Sequence, residues 1–114
     1  MTTLQEKQLG QVAPSVTGVA DILYSPSAGV TGIVKSIFVC NTTSAPATFD
    51  IYCDDNGAVA SSADALFYQQ TIAGKTTIEI NTFIAMNNSA GNLMVAVGTA
   101  NAITFTAFGA EITS

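Results

Sequence analysis

The sequence contains no arginine, no histidine and no tryptophan, and its only cations are Lys7, Lys35 and Lys75. Without histidine the commonest general base is gone, and with it the Ser-His-Asp and Cys-His nucleophile systems. Without arginine there is no bidentate clamp for phosphate or carboxylate. Three scattered lysines in a chain of net charge −5 cannot neutralise a row of phosphates, so a nucleic-acid partner is not expected. An acidic chain lacking a basic amphipathic helix is also a poor membrane binder. Charged residues make up 10% of the chain, against about 25% in an average protein. No window approaches the roughly 18 continuous apolar residues of a membrane span. The opening MTTLQEKQLGQVAPS has no basic end followed by an apolar run, so it does not read as a secretory signal, and folding in a cytoplasm is expected. The Asn-x-Ser/Thr triplets at Asn41 and Asn87 are then expected to be chance in a chain rich in Thr and Asn.

What is present is period-two alternation rich in β-branched and aromatic residues, which is strand spacing. Val34, Ser36, Phe38 and Cys40 are expected on one strand face, with Ile33, Lys35, Ile37 and Val39 on the other. Phe49, Ile51 and Cys53 alternate with Thr48, Asp50 and Tyr52; Leu66, Tyr68 and Gln70 with Ala65, Phe67 and Gln69. The same pattern runs through Thr76–Ile80, Leu93–Val97 and Ile103–Thr106. Turn-forming clusters separate these runs: Ser25–Gly29, Asp54–Gly57, Ala73–Gly74, Asn87–Gly91 and Gly98–Asn101. The spacing predicts about eight strands, near 8–12, 20–24, 31–41, 47–54, 65–71, 75–84, 92–98 and 102–112. At most a short helical turn is expected, within 58–65. Short, evenly spaced strands without helices read as an all-β, antiparallel β-sandwich or jelly roll, one domain over 1–114. Residues 1–14 pattern weakly and read either as an extended N-terminal arm or as a frayed terminus.

Both cysteines lie in VCNTTSAPATFDIYC. If the strands flanking Asn41–Ala47 form a hairpin, Cys40 faces about Thr48 and Cys53 about Lys35. That separates them by roughly 16 Å along the ladder, beyond the ~7 Å Cα limit of a disulfide. Strands in opposite sheets would permit a cross-core bridge, which a reducing cytoplasm disfavours. Zinc wants about four Cys or His ligands. Two reduced, packed thiols are expected, with no metal and no cofactor.

Catalysis is not expected either. Asp54-Asp55-Asn56-Gly57 lacks the spaced acids and distal Glu of a calcium loop and reads as a hairpin turn. The carboxylates Asp50, Asp64, Glu79 and Glu111 read as solvated strand or turn residues, with nothing to pair them. Several strands are instead uncharged on both faces, Ile33–Cys40 most clearly, where a monomeric sandwich alternates apolar and polar. Charge depletion with aromatics present marks interface cores, so a homo-oligomer is expected.

LGQVAPS, ILYSPSAG, VKSIFVCNTTSAPATFDIY, the Gly74-Lys75-Thr76 turn into TTIEI, and the closing ITFTAFGAEIT occur in one order along the chain. In this, nearly the whole chain resembles the small all-β virion structural proteins of tailed bacteriophages. The resemblance implies a component of the virion, assembled in the host bacterial cytoplasm, with no catalytic residues to carry over. The first function it suggests is a capsid decoration (cement) protein, a trimer contacting other virion proteins, the major capsid protein foremost. Leu4, Leu9 and Val12 in the arm and the loop Asn41–Ala47, with Asn41, Thr42 and Thr43 at its start, are the expected contact residues. The alternative is a tail, baseplate or fibre module, including a receptor- or carbohydrate-binding tip with Tyr24, Tyr52 and Tyr68 stacking on sugars.

Overall fold

The computed structural model describes residues 2–57 and 60–113. Eight strands carry the fold: β1 (Thr3–Val12), β2 (Asp21–Tyr24), β3 (Val30–Asn41), β4 (Ala47–Asp54), β5 (Ala65–Ile72), β6 (Thr76–Met86), β7 (Asn92–Val97) and β8 (Ile103–Thr113). The helical turn expected within 58–65 is a three-residue 3-10 turn at Ser62–Asp64; Ala58 and Val59 lie outside the described residues. The strands form two four-stranded sheets, in the orders β1-β8-β3-β6 and β2-β7-β4-β5.

The pairing is nested. First pairs with last, second with seventh, third with sixth and fourth with fifth, all antiparallel. The β3–β8 and β4–β7 ladders close the rolled ribbon. This is an eight-stranded jelly roll, the fold class the sequence predicts. It corrects one premise: β3 and β4 do not form a hairpin but belong to opposite sheets. Cys40 points outward beside Thr104, while Cys53 faces inward opposite Leu93 and packs against the core; both are free thiols.

Because the sheets meet along single faces, one layer of side chains makes the core. Val34, Ile37, Val39, Ile103 and Phe105 from one sheet meet Phe49, Ile51, Leu93, Val95 and Val97 from the other. Phe49 and Phe105 meet edge to face across the gap, with ring centroids 6.0 Å apart.

The expected faces of β3 hold only in part. Val34 is buried with Ile37 and Val39, whereas Ser36, Phe38 and Cys40 turn outward with Ile33. The reason is a β-bulge. Lys35 is an extra residue opposite the Phe108–Gly109 step of β8, and Leu9 of β1 is extra against the adjacent Ala107–Phe108 step. Each inserted residue reverses the sidedness of the strand beyond it. Gly109 permits the line of bulges, because a Cβ there would collide with the Ile33 carbonyl and Leu9. A second bulge breaks the expected alternation of β5, where Gln69 adopts a left-handed backbone (φ 51°).

Residues 3–12, the greater part of the expected arm, pair with β8 as an edge strand of the chain's own sheet. The expected strand at 8–12 thus starts earlier, because polar Gln5, Glu6 and Lys7 are exposed on the edge and give no apolar alternation.

At one end of the sandwich the chain crosses between sheets four times, and Asn41 holds two of these crossings, at 42–46 and 73–75, together. It is fully buried and its amide is saturated. Nδ2 donates to the Ala45 carbonyl (2.8 Å) and the Ile72 carbonyl (3.1 Å); Oδ1 accepts from the Thr43 N–H (3.0 Å) and hydroxyl (2.8 Å). The Lys75 N–H donates to the Thr43 carbonyl (2.8 Å). Removing the amide leaves the buried Ile72 carbonyl and the part-buried Thr43 N–H without these partners. Asn41→Ala should therefore lower unfolding free energy by about 3 kcal/mol in urea titrations. Asn41→Asp should cost at least as much at neutral pH, since a carboxylate cannot donate to either carbonyl. A loss within about 0.5 kcal/mol, the level of an ordinary surface substitution, contradicts the pinning role.

Candidate interface surfaces

The residues expected to contact partners divide sharply. Leu4 is 63% exposed and Thr42 is exposed, but Leu9 and Val12 pack against the core. Asn41 and Thr43 are held in the network just described, and the Thr42 N–H and hydroxyl both donate to the Ala102 carbonyl. The backbone of the loop Asn41–Ala47 packs against that of the 73–75 crossing. A Cβ on Gly74 would strike the Ser44 carbonyl.

The tyrosines do not converge. Tyr24 crosses the gap between sheets into the space left by the missing side chain of Gly32, and its hydroxyl donates to Glu111 Oε2 at 2.7 Å. Burial first, then the neighbouring carboxylate, pushes the Tyr24 hydroxyl well above the ordinary phenol range. Tyr52 lies on the outer face of the second sheet and donates to Asp50 Oδ2 at 2.9 Å; burial and Asp50 push it up to about 12. Tyr68 alone is open, 48% exposed on the β5 edge.

Each carboxylate singled out in the sequence has a local partner. Asp50 also accepts from the Gln69 N–H at 2.5 Å and so fixes the β5 bulge. Glu79 accepts from the Ser36 hydroxyl at 2.9 Å, and Asp64 from Ser61 at 3.4 Å. Glu111 lies 2.8 Å from Lys7 Nζ. The Lys7 and Tyr24 hydrogen bonds hold its carboxyl below the usual range. In the Asp54–Gly57 turn the Asn56 N–H donates to Asp54 Oδ1 at 3.3 Å. No cluster of three His, Cys, Asp or Glu side chains occurs among the described residues.

What the fold does assemble is an aromatic outer face on the β1-β8-β3-β6 sheet. The bulge at Lys35 turns Phe38 outward, where it meets Phe108 edge to face at 5.7 Å. Phe108 is 39% exposed, and Phe83 on β6 reaches 71%. Glu6 and Lys35 pair across this face at 3.1 Å, bordering an open hollow of about 540 Å³ with Gln8, Ser36 and Phe108. The charges here are thus spent on one another. On the opposite sheet a groove of about 460 Å³ lies among Val19, Ala20, Tyr52, Met94 and Ala96. Alternation flagged the aromatic face but misassigned its members, since Phe38 and Val34 were expected together.

No protein-family model matches the chain, and a search of curated proteins found no match. Among solved structures it is similar to a chain of infectious bursal disease virus Gx strain, with 10% identity and a TM-score of 0.46, over 98% of this chain and 32% of that one. The Gt strain of the same virus gives 10% identity and a TM-score of 0.39 over the same shares. The chain therefore spans about a third of the length of the chains it matches. The jelly-roll assignment rests on this chain's own strand order.

The Glu111 contacts predict an acid-side stability change. Its folded pKa is depressed, so the stabilisation is complete above the unfolded carboxylate value of about 4.3 and fades as pH falls through the lower folded value. Urea midpoints should drop between about pH 5 and pH 3, less steeply in Glu111→Gln than in the wild type. Equal slopes would remove Glu111 from the acid response.

Proposed function

We propose that the chain is a structural protein of a virus particle, working through protein–protein contact. In its finer form it is a bacteriophage head decoration protein seated on the major capsid protein. The supporting observation is the outer face bearing Phe38, Phe83 and Phe108, whose nearby charges are already paired within the chain. Covering about 300 Å² of such a face contributes roughly 7 kcal/mol, before the cost of association. Repeated over a shell, that binding reinforces subunit junctions. Jelly rolls also serve as lectin and cupin domains, so the fold alone does not select this role. The sequence has no histidine or arginine, and no group of three His, Cys, Asp or Glu converges among the described residues, so the proposal assigns the chain no catalytic step. Leu4 and Thr42 remain the exposed members of the expected contact set.

A receptor- or sugar-binding tip is the weaker reading. Of its three tyrosines, Tyr24 and Tyr52 are buried and hydrogen-bonded internally, leaving Tyr68 alone.

Co-sedimentation with purified particles lacking the protein tests the proposal. The chain should pellet with them at micromolar concentration, and Phe108→Asp should weaken binding at least about tenfold, as expected for a buried contact aromatic. A chain that stays in the supernatant while labelled protein decorates host cells supports the tip instead.

A further inference from the structure

The two sheets present four edges, and three carry recognisable protection against pairing with another strand. The β1 edge bears Glu6 and Lys7, engaged in ion pairs with Lys35 and Glu111. The β2 edge is four residues long. The β5 edge is broken at Gln69, whose left-handed backbone turns its N–H to Asp50. The β6 edge lacks the ion pairs, the shortness and the left-handed break of the others, its one irregularity being a register shift where Thr82 and Phe83 lie opposite Lys35. It runs for eleven residues, TTIEINTFIAM, with no proline, no glycine and no left-handed residue. Its single ionisable group, Glu79, is directed along its own sheet to Ser36. It also carries Phe83, the most exposed large apolar side chain among those described.

The geometry points to β6 as a self-pairing edge. A second copy of this chain adds its own β6, antiparallel across a two-fold axis, and joins two four-stranded sheets into one of eight. An antiparallel pair of identical strands is self-complementary, as a two-fold contact requires. Full overlap places Asn81 on the axis, with Thr77 opposite Ala85 of the second copy, Ile78 opposite Ile84, and Glu79 opposite Phe83. No like charges meet. Sidedness also agrees. Along β6 the odd residues face outward with Ser36 and Phe38, and the even ones face inward with Val34, Ile37 and Val39. The inward row of Ile80 and Ile84, already packed against the core layer, therefore carries on across the junction. Edge backbone groups gain partners, and the exposed Phe83 ring lies over the methylenes of Glu79 from the other copy. The closed unit is a two-fold dimer in place of the expected trimer. The inference concerns the isolated chain and stands apart from the virion proposal.

Asn81 is exposed and its side chain makes no hydrogen bond among the described residues, which suits it to a test. Sedimentation of the purified chain at high micromolar concentration should show a dimer. Asn81→Cys should form a covalent dimer on mild oxidation, because Cα atoms paired at the axis lie within the ~7 Å disulfide limit. The wild type, with Cys40 and Cys53, and Gln11→Cys on the β1 edge should not. Asn81→Lys, which sets two ammonium groups face to face, should weaken the dimer at least about tenfold. A monomer or trimer, cross-linking through Gln11→Cys, or a dimer indifferent to both Asn81 substitutions overturns the pairing.

Discussion

One buried amide governs how this chain is folded over. Asn41 sits where β3 ends and the polypeptide leaves one sheet for the other, and its four hydrogen bonds reach that crossing and the end of β5. Donor and acceptor capacity are used in full, so the residue is inexpensive to bury as Asn and costly as anything else. It acts there together with the Lys75 N–H to Thr43 carbonyl bond and the Thr42 bonds to the Ala102 carbonyl. These bonds fix the loop along which β4 enters the opposite sheet.

The rest of the architecture follows from a single layer of apolar side chains shared by two sheets. Such a layer requires close approach at particular points, and small residues supply it. Gly32 makes room for the Tyr24 ring, and the Tyr24 hydroxyl in turn links β2 to Glu111 and Lys7 on the other sheet. That chain of contacts is polar at its rim and apolar at its root, as expected for a group that must be both buried and satisfied.

Much of the fold was legible in the sequence because strand spacing and turn chemistry are local. All eight strands fall near their expected positions, and the alternation in β4, β6, β7 and β8 holds. What escaped depends on long-range pairing. The extra residues at Lys35 and Leu9 leave no mark in composition, and only the partner strand reveals them. The assignment of β3 and β4 to different sheets likewise rests on long-range pairing, and the bonds that Asn41 makes at the crossing read in isolation as those of one more loop asparagine. Of the expected contact residues, Leu9, Val12 and Asn41 are consumed by the fold, since an apolar or amide side chain near a loop looks the same whether it waits for a partner or already has one. Tyr24 and Tyr52 escaped for the same reason.

The line of bulges gives this sheet something like a reading frame. Lys35 and Leu9 each act as a one-position insertion, and the sidedness of everything past them is counted from there. A single-codon deletion at Lys35 would not merely shorten a surface strand. It would exchange the interior and exterior sets along half of β3, sending Ile37 and Val39 to water and drawing Ser36, Phe38 and Cys40 into the core. A substitution at the same exposed site would leave that count untouched, so the position tolerates many side chains while tolerating no loss of length.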